Sequence, residues 1–339
     1  MLCAPATTDP KVMDGLLVVD KPAGITSHDV VARVRRIVKE RAVGHTGTLD
    51  PAATGVLPLV LGKATRLARF LSATDKSYEA VVTLGISTDT ADSAGSPIGA
   101  PYSGPLPSRQ AIDRALDAFR GPFTQEPPAY SAKKIGGKRS YKLARAASAA
   151  ASNLRPSSGA QPPSLPLRPT SVPVVVHRLD LLDVDGDRVA LRVDCSAGFY
   201  VRSLAHDLGL ALGTGAHLSA LRRTRSGQWT LADALPLDVA ERAHDQAVGH
   251  VIPLARMLED LPAVILTAEG VRRAAHGRDV GPADIQDTLG VGIRELGLGM
   301  GDLGSVPPYV RLTDRAGDLV GIARPATTLG LLHPSVVLV

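Results

Sequence analysis

Twelve consecutive residues, Gly44-His45-Thr46-Gly47-Thr48-Leu49-Asp50-Pro51-Ala52-Ala53-Thr54-Gly55, gather three glycines, three threonines, one histidine and one carboxylate. An aspartate can attack an electrophilic carbon or take a proton, so Asp50 is a candidate nucleophile or general base. The segment follows an amphipathic stretch and precedes the apolar run 56–61. A polar, glycine-rich loop between buried elements is where a scaffold presents chemistry. The competing reading is a plain turn, because Asp-Pro and Thr-Gly pairs initiate turns widely. A small-molecule hydrolase built on Asp50 and His45 finds neither a nucleophile elbow nor metal-ligand spacing in this chain.

The chain has 339 residues, enough for two domains, one with a sizeable core. Its hydrophobic fraction of 44% and charged fraction of 21% are those of a folded protein. A net charge of +5 favours a polyanionic partner, nucleic acid being the commonest. Aromatic residues make up only 3%, so base stacking must rest on a few tyrosines. The two cysteines, Cys3 and Cys195, form no C-x-x-C pair, which argues against a zinc ribbon or dithiol site. Cys195 reads as a small buried hydrophobe. The first twelve residues lack the basic start and apolar run of a signal peptide, and no apolar run reaches membrane-spanning length. The expectation is a reduced, cytoplasmic protein.

The elements around the loop follow from periodicity. Residues 15–20 read as a strand ending in Lys21-Pro22-Ala23-Gly24. Ser27 offers an N-cap to a helix with Val30, Val31, Val34, Ile37 and Val38 inward. Its other face carries Arg33, Arg35, Arg36, Lys39 and Arg41, either a solvated face or one that follows an RNA backbone. Residues 56–61 read as a buried strand and 63–71 as a short helix. The Gly62-Lys63 pair is no phosphate loop, since Leu57 and Ala64 stand where glycine and a hydroxyl are needed. Residues 76–84 alternate as a strand with Tyr78 near its start, and Ser108 caps a helix that Gly121 stops.

Residues 121–145 combine Pro127-Pro128, Tyr130, Lys133, Lys134, a Gly136-Gly137 hinge and then Lys138, Arg139, Lys142 and Arg145, a pattern that suits a nucleic-acid contact. Residues 146–170 are a low-complexity Ala/Ser/Pro insertion. Two strands, 173–184 and 188–195, flank a hairpin turn at Asp185-Gly186. Residues 200–212 fit a helix with Arg202 in its first turn. That end of the helix dipole disfavours a cation, so Arg202 calls for an acidic partner. A strand at 216–224 holds Leu221-Arg222-Arg223. Helical segments follow to about 260, Thr267 caps a further helix to 276, and 277–308 reads as irregular. Short strands at 308–313, 319–323 and 335–338 give a small β-rich C-terminal unit.

Four blocks then point to one family: VVDKPAGITSHDVV at 18–31, GHTGTLDPAATGVLPL at 44–59, PPAYSAKKIGGKRSYKLAR at 127–145 and CSAGFYVRSLAHDLG at 195–209, with LRR at 221–223 behind them. In order and spacing the chain resembles the TruB family of transfer-RNA pseudouridine synthases. The resemblance covers roughly 12–260, while the tail is similar to a reduced PUA-like RNA-binding domain. It implies an α+β fold whose catalytic domain, 12–260, has a mixed, largely antiparallel sheet flanked by helices. A mobile basic thumb spans about 122–172 with the insertion 146–170 inside it, and a PUA-like domain occupies 261–339.

The resemblance also implies isomerisation of a uridine of the TΨC loop to pseudouridine, with no cofactor and no metal, by a monomer that contacts transfer RNA and no membrane. Carried over residue by residue, Asp50 is the essential aspartate and Arg202 pairs with it. Tyr78 stacks on the flipped base, His45 helps displace the target nucleotide, and Tyr200 and Leu221 line the uridine pocket. Lys133, Lys134, Lys138, Arg139, Lys142 and Arg145 belong to the thumb. Ala197 and Phe199 depart from the family's usual residues at the pocket edge. Two other readings stay open: an RNA-binding protein without catalysis, and the guide-RNA-dependent branch of the same superfamily.

Overall fold

The computed structural model describes residues 13–130, 169–290 and 308–339, together with the backbone of 134–135 and 138–139. Its first half lays down β1 (Gly15–Lys21), α1 (Ser27–Val38), β2 (Val43–His45), β3 (Thr54–Leu61), β4 (Lys76–Leu84), α2 (Arg109–Leu116) and β5 (Gly121–Gln125). Then come β6 (Val172–Asp185), β7 (Arg188–Cys195), α3 (Val201–Ala211) and β8 (Ala216–Ser226). Among the described residues these strands and three two-residue ones form an eleven-stranded sheet whose spine runs β1-β3-β8-β4-β7-β6-β5. Every neighbour on that spine is antiparallel except β3 and β8, which run parallel. This is the mixed, largely antiparallel sheet flanked by helices that the sequence leads one to expect.

Residue alternation explains which face each strand buries. In β4, Tyr78, Ala80, Val82 and Leu84 point into one cluster while Glu79 faces solvent. The strands β1 and β3 are apolar on both faces because both faces are covered. Leu17, Val19, Leu57, Leu59 and Leu61 meet Val30, Val31, Val34 and Val38 of α1. Leu16, Val18, Val56 and Val60 face the other way, toward Trp229, Met257 and three residues of the C-terminal unit, Leu319, Ile322 and Leu338. Each fully buried valine or leucine stabilises the sheet by about 1.5–3 kcal/mol. Helix α3 lies over the face that holds Tyr78, inserting Val201, Leu204, Ala205 and Leu208. Cys195, at the end of β7, is buried with its thiol 3.7 Å from the Lys76 carbonyl. Burial pushes that thiol up to about 12, so it packs as an unreactive hydrophobe.

The chain then forms β9 (Ala263–Leu266), α4 (Ala268–Ala275), β10 (Ile285–Leu289), β11 (Val310–Thr313), β12 (Leu319–Pro325) and β13 (Leu332–Val337). These strands make a second sheet of order β10-β9-β11-β12-β13 with its own apolar cluster around Val264, Leu312 and Leu332. Two of them depart from the sequence reading. β9 is a four-residue apolar run too short for periodicity to reveal, and β10 lies inside the stretch read as irregular, where IQDTL has polar residues at its three central positions and passes for loop. The start of α1 departs too. Thr26, not Ser27, is the N-cap: its side chain accepts from Asp29 N, and the Asp29 carboxylate accepts from Thr26 N. Ser27 is buried and serves elsewhere. Among the described residues no helix is long and apolar enough to cross a membrane.

Candidate active site

The loop between β2 and β3 carries Asp50, and it is fastened from three sides. From β1, the fully buried Lys21 ammonium donates to the carbonyls of Pro51 (3.1 Å), Ala53 (2.7 Å) and Pro22 (2.8 Å). Gly24 N donates to the same Pro51 carbonyl at 2.8 Å. From α1, Ser27 Oγ donates to Leu49 O at 3.0 Å and accepts from Leu49 N at 2.9 Å. From β8, Arg223 Nε donates to Val56 O at 2.7 Å and its Nη2 to Gly47 O at 3.1 Å. Gly55 is required here. Its φ is +102°, and a Cβ at this position would lie 2.2 Å from Arg223 O, so only glycine lets β3 approach β8 in parallel.

Arg202 reaches Asp50 from the first turn of α3, 152 positions away. Its Nε lies 2.9 Å from Asp50 Oδ2 and its Nη2 3.4 Å from Oδ1, a two-pronged pairing. The same guanidinium donates to Thr90 O (3.2 Å) and Tyr130 O (2.8 Å), and it has Asp92 Oδ2 at 3.8 Å. The Arg202 side chain is 7% exposed and the Asp50 side chain 40%, so a buried arginine presents a carboxylate to open space. That space is a pocket of about 390 Å³, a volume suited to a small ligand or one flipped nucleoside.

His45, Asp50, Tyr78, Tyr200, Arg202 and Leu221 all line this pocket. Tyr78 comes from β4 and is directly opposite Arg223 in the ladder. Burial pushes the Tyr78 phenol up from its ordinary value. Tyr200 is held at the start of α3 by Gln125, whose Oε1 accepts from Tyr200 N at 2.8 Å and whose Nε2 donates to Tyr200 O at 3.1 Å. Leu221 sits on β8 opposite Ala80. The His45 ring meets His28 edge-on at 5.4 Å. Of the basic segment, Lys134–Ile135 and Lys138–Arg139 pair as a short antiparallel ladder. Lys133, Lys142, Arg145 and residues 146–168 of the insertion lie outside the described residues, as do the side chains of Lys134, Lys138 and Arg139.

Sequence reasoning missed Lys21, Ser27, Asp92 and Arg223 as builders of this site. Lys21 carried one signal, a cation directly after the apolar run of β1. Its surroundings lower its ammonium from the ordinary 10.5 to about 8; burial is the largest cause, and the Asp50 charge opposes it. Lys21→Met keeps the bulk and strands three carbonyls, and urea melts at pH 7 are expected to show a loss of about 2–4 kcal/mol. The pH dependence has a defined sign. Between about 8 and 10.5 the unfolded chain holds the Lys21 proton and the folded chain does not, so wild-type stability rises with pH on this account. The gap between wild type and Lys21→Met therefore widens across that window; a gap that narrows would reverse the assignment.

Comparison with known proteins gives consistent matches. Residues 35–158 match the model of the TruB family pseudouridylate synthase N-terminal domain, and 202–263 that of the tRNA pseudouridylate synthase B C-terminal domain. A tRNA pseudouridine synthase B of Solibacter usitatus (strain Ellin6076) is 42% identical over 96% of this chain and 100% of its own. One from Symbiobacterium thermophilum is 44% identical over 80% of this chain and 84% of its own. Among solved structures, a Cbf5-Nop10-Gar1 complex contains a chain that is 28% identical, with a TM-score of 0.67 over 97% of this chain and 86% of that one. An H/ACA RNP bound to a substrate RNA containing 2′-deoxyuridine matches at 27% identity and a TM-score of 0.66, with the same coverage.

Proposed function

The chain belongs to the TruB family of pseudouridylate synthases, and from that premise we propose that it isomerises uridine 55 in the TΨC loop of transfer RNA with Asp50 as the reacting group. It is an isomerase that forms pseudouridine in transfer RNA. The observation that carries the residue assignment is the two-pronged Asp50–Arg202 pair opening onto a pocket walled by Tyr78.

The reaction breaks the bond between C1′ and N1, turns the uracil, and joins C1′ to C5. The C5 proton leaves for solvent and N1 gains one, so no electron acceptor is consumed. A carboxylate can act by adding to C6, by adding to C1′, or by removing a sugar proton. Arg202 orients the carboxylate for any of the three. The uridine must first leave its stack, at a cost of about a few kcal/mol. Stacking on the Tyr78 ring returns about 1–3 kcal/mol of this. His45, at the edge of the pocket, displaces the nucleotide, while Tyr200 and Leu221 hold the base.

The finer organisation belongs to the same proposal. The catalytic unit spans 12–260, with a basic thumb at about 122–172 that includes Lys133, Lys134, Lys138, Arg139, Lys142 and Arg145. Residues 261–339 form a PUA-like RNA-binding unit. The enzyme works as a monomer, in the cytoplasm, on a bare TΨC stem-loop. Support for a stand-alone enzyme comes from the relatives at 42% and 44% identity, which are named as tRNA pseudouridine synthases, although the solved structures that match come from ribonucleoprotein complexes. The test is tritium release from a TΨC stem-loop labelled at C5 of its uridines. The purified chain alone is expected to release one equivalent per RNA. Release that required added guide RNA or protein would assign the chain to the guide-dependent branch, and no release at all would overturn the isomerase reading.

A further inference from the structure

Helix α1 starts at the catalytic loop. Ser27 is bonded to Leu49, and the His28 ring lies 5.4 Å from that of His45 in the pocket wall. From His28 onward, positions 28, 32, 35, 36 and 39 recur at three- and four-residue spacing and share one exposed face of the helix. They are histidine, alanine, two arginines and a lysine, and Arg41 follows just past the end. Arg35 Nη2 donates to Val43 O at 2.8 Å, which lays its side chain along β2, the strand that ends in His45. Arg36 Nε donates to Ala32 O at 3.3 Å, so its cation is held over the helix rather than splayed away.

None of Arg35, Arg36, Lys39 and Arg41 has a carboxylate partner among the described residues. The helix's one cross-element ion pair there, Arg33 with Glu241 at 3.2 Å, is on its flank. Asp29 is engaged with Thr26 in the helix cap. Cations near a helix C-terminus are favourable in themselves. That accounts for Arg35 and Arg36 as types. It does not account for three cations without a carboxylate partner aligned with a histidine whose ring meets that of His45. The small Ala32 leaves a gap in the stripe between His28 and the arginines. The helix is roughly 18 Å long, room for a few nucleotides.

We propose that the exposed stripe of α1, from His28 past Ala32 to Arg35, Arg36 and Lys39, binds the phosphate backbone of the RNA strand that flanks the nucleotide held in the pocket. The inference rests on the isomerase reading for its RNA and goes beyond it in naming a second contact surface. The partner follows from charge complementarity and from continuity with the pocket through His28 and His45. Phosphate contacts of this kind position a strand without reading its sequence.

The measurement is the affinity for a fluorescent TΨC stem-loop at several salt concentrations, with tritium release followed on the same samples. The variant Arg35→Gln/Arg36→Gln/Lys39→Gln is expected to weaken binding about tenfold or more near 100 mM salt. It should also flatten the slope of log K against log salt by about 2. KM should rise in parallel while kcat at saturating RNA stays within about twofold. Restoring charge with Arg35→Lys/Arg36→Lys, on a chain that keeps Lys39, should return most of the slope, which a merely destabilised helix would not do. Arg178→Gln, which removes one positive charge from a guanidinium already paired with Asp180 at 2.7 Å, should leave the slope unchanged. A triple variant with wild-type affinity and slope overturns the stripe and leaves the isomerase reading intact. A flattened slope in a protein that releases no tritium supports the stripe and overturns the isomerase reading alone.

Discussion

Asp50→Asn is expected to lower tritium release by about 10⁴-fold or more while leaving the dissociation constant for the stem-loop within about threefold of wild type. Asparagine matches aspartate in shape and can still accept a hydrogen bond from Arg202 Nε. It cannot add to C6 or C1′, and it cannot take a sugar proton, so each route open to the carboxylate closes at once. The fold has little at stake, because the Asp50 side chain is 40% exposed and Arg202 keeps the carbonyls of Thr90 and Tyr130 and the nearby Asp92. Single-turnover rates and binding titrations on the same preparation separate the two effects. Retention of more than a tenth of wild-type release would move the chemistry to another residue.

Arg202→Lys is expected to cost about 10²–10³-fold in kcat/KM and about 2–4 kcal/mol of stability. A guanidinium presents fixed donors to both oxygens of Asp50 and to two backbone carbonyls at the same time. One ammonium on a flexible stem satisfies only part of that set and no longer fixes the plane of the carboxylate. With the side chain only 7% exposed, the carbonyls that lose a donor find little water to replace it. Activity and melting temperature should therefore fall together, unlike in Asp50→Asn. A double variant of Asp50→Asn with Arg202→Lys should be no slower than Asp50→Asn alone, since the arginine acts through the aspartate. Near-normal turnover in Arg202→Lys would remove the pair from the mechanism.

Much of this site could be read before the fold was known, and the parts that could not have physical reasons. The alternation of β4 put Tyr78 near the start of a strand, and the position of Arg202 in the first turn of α3 called for an acid partner, since a cation there opposes the helix dipole. Lys21 and Arg223 gave no such signal. They are large cations buried on backbone carbonyls, and no periodicity announces which carbonyls a distant loop will offer. Thr26 and Ser27 are both capping residue types, and only the backbone angles decide between them. The extended backbone of Thr26 makes it the cap and frees Ser27 for Leu49. Gly55 read as a turn glycine, whereas its role is to admit the neighbouring strand.

That neighbour, β8, sets when the enzyme can come into being. It is the strand between β3 and β4 on the spine of the sheet, so β1 and β3 on one side and β4, β7, β6 and β5 on the other are joined through residues 216–226. As the chain leaves the ribosome, the loop bearing Asp50 emerges well before β8 does. The hairpins on either side can form early from local contacts, but the loop lacks its Arg223 fastening and the two half-sheets stay unjoined. A nascent chain that ends between Arg202 and Ser226 therefore holds every atom of the Asp50–Arg202 pair but lacks the complete strand that joins the two half-sheets and fastens their loop.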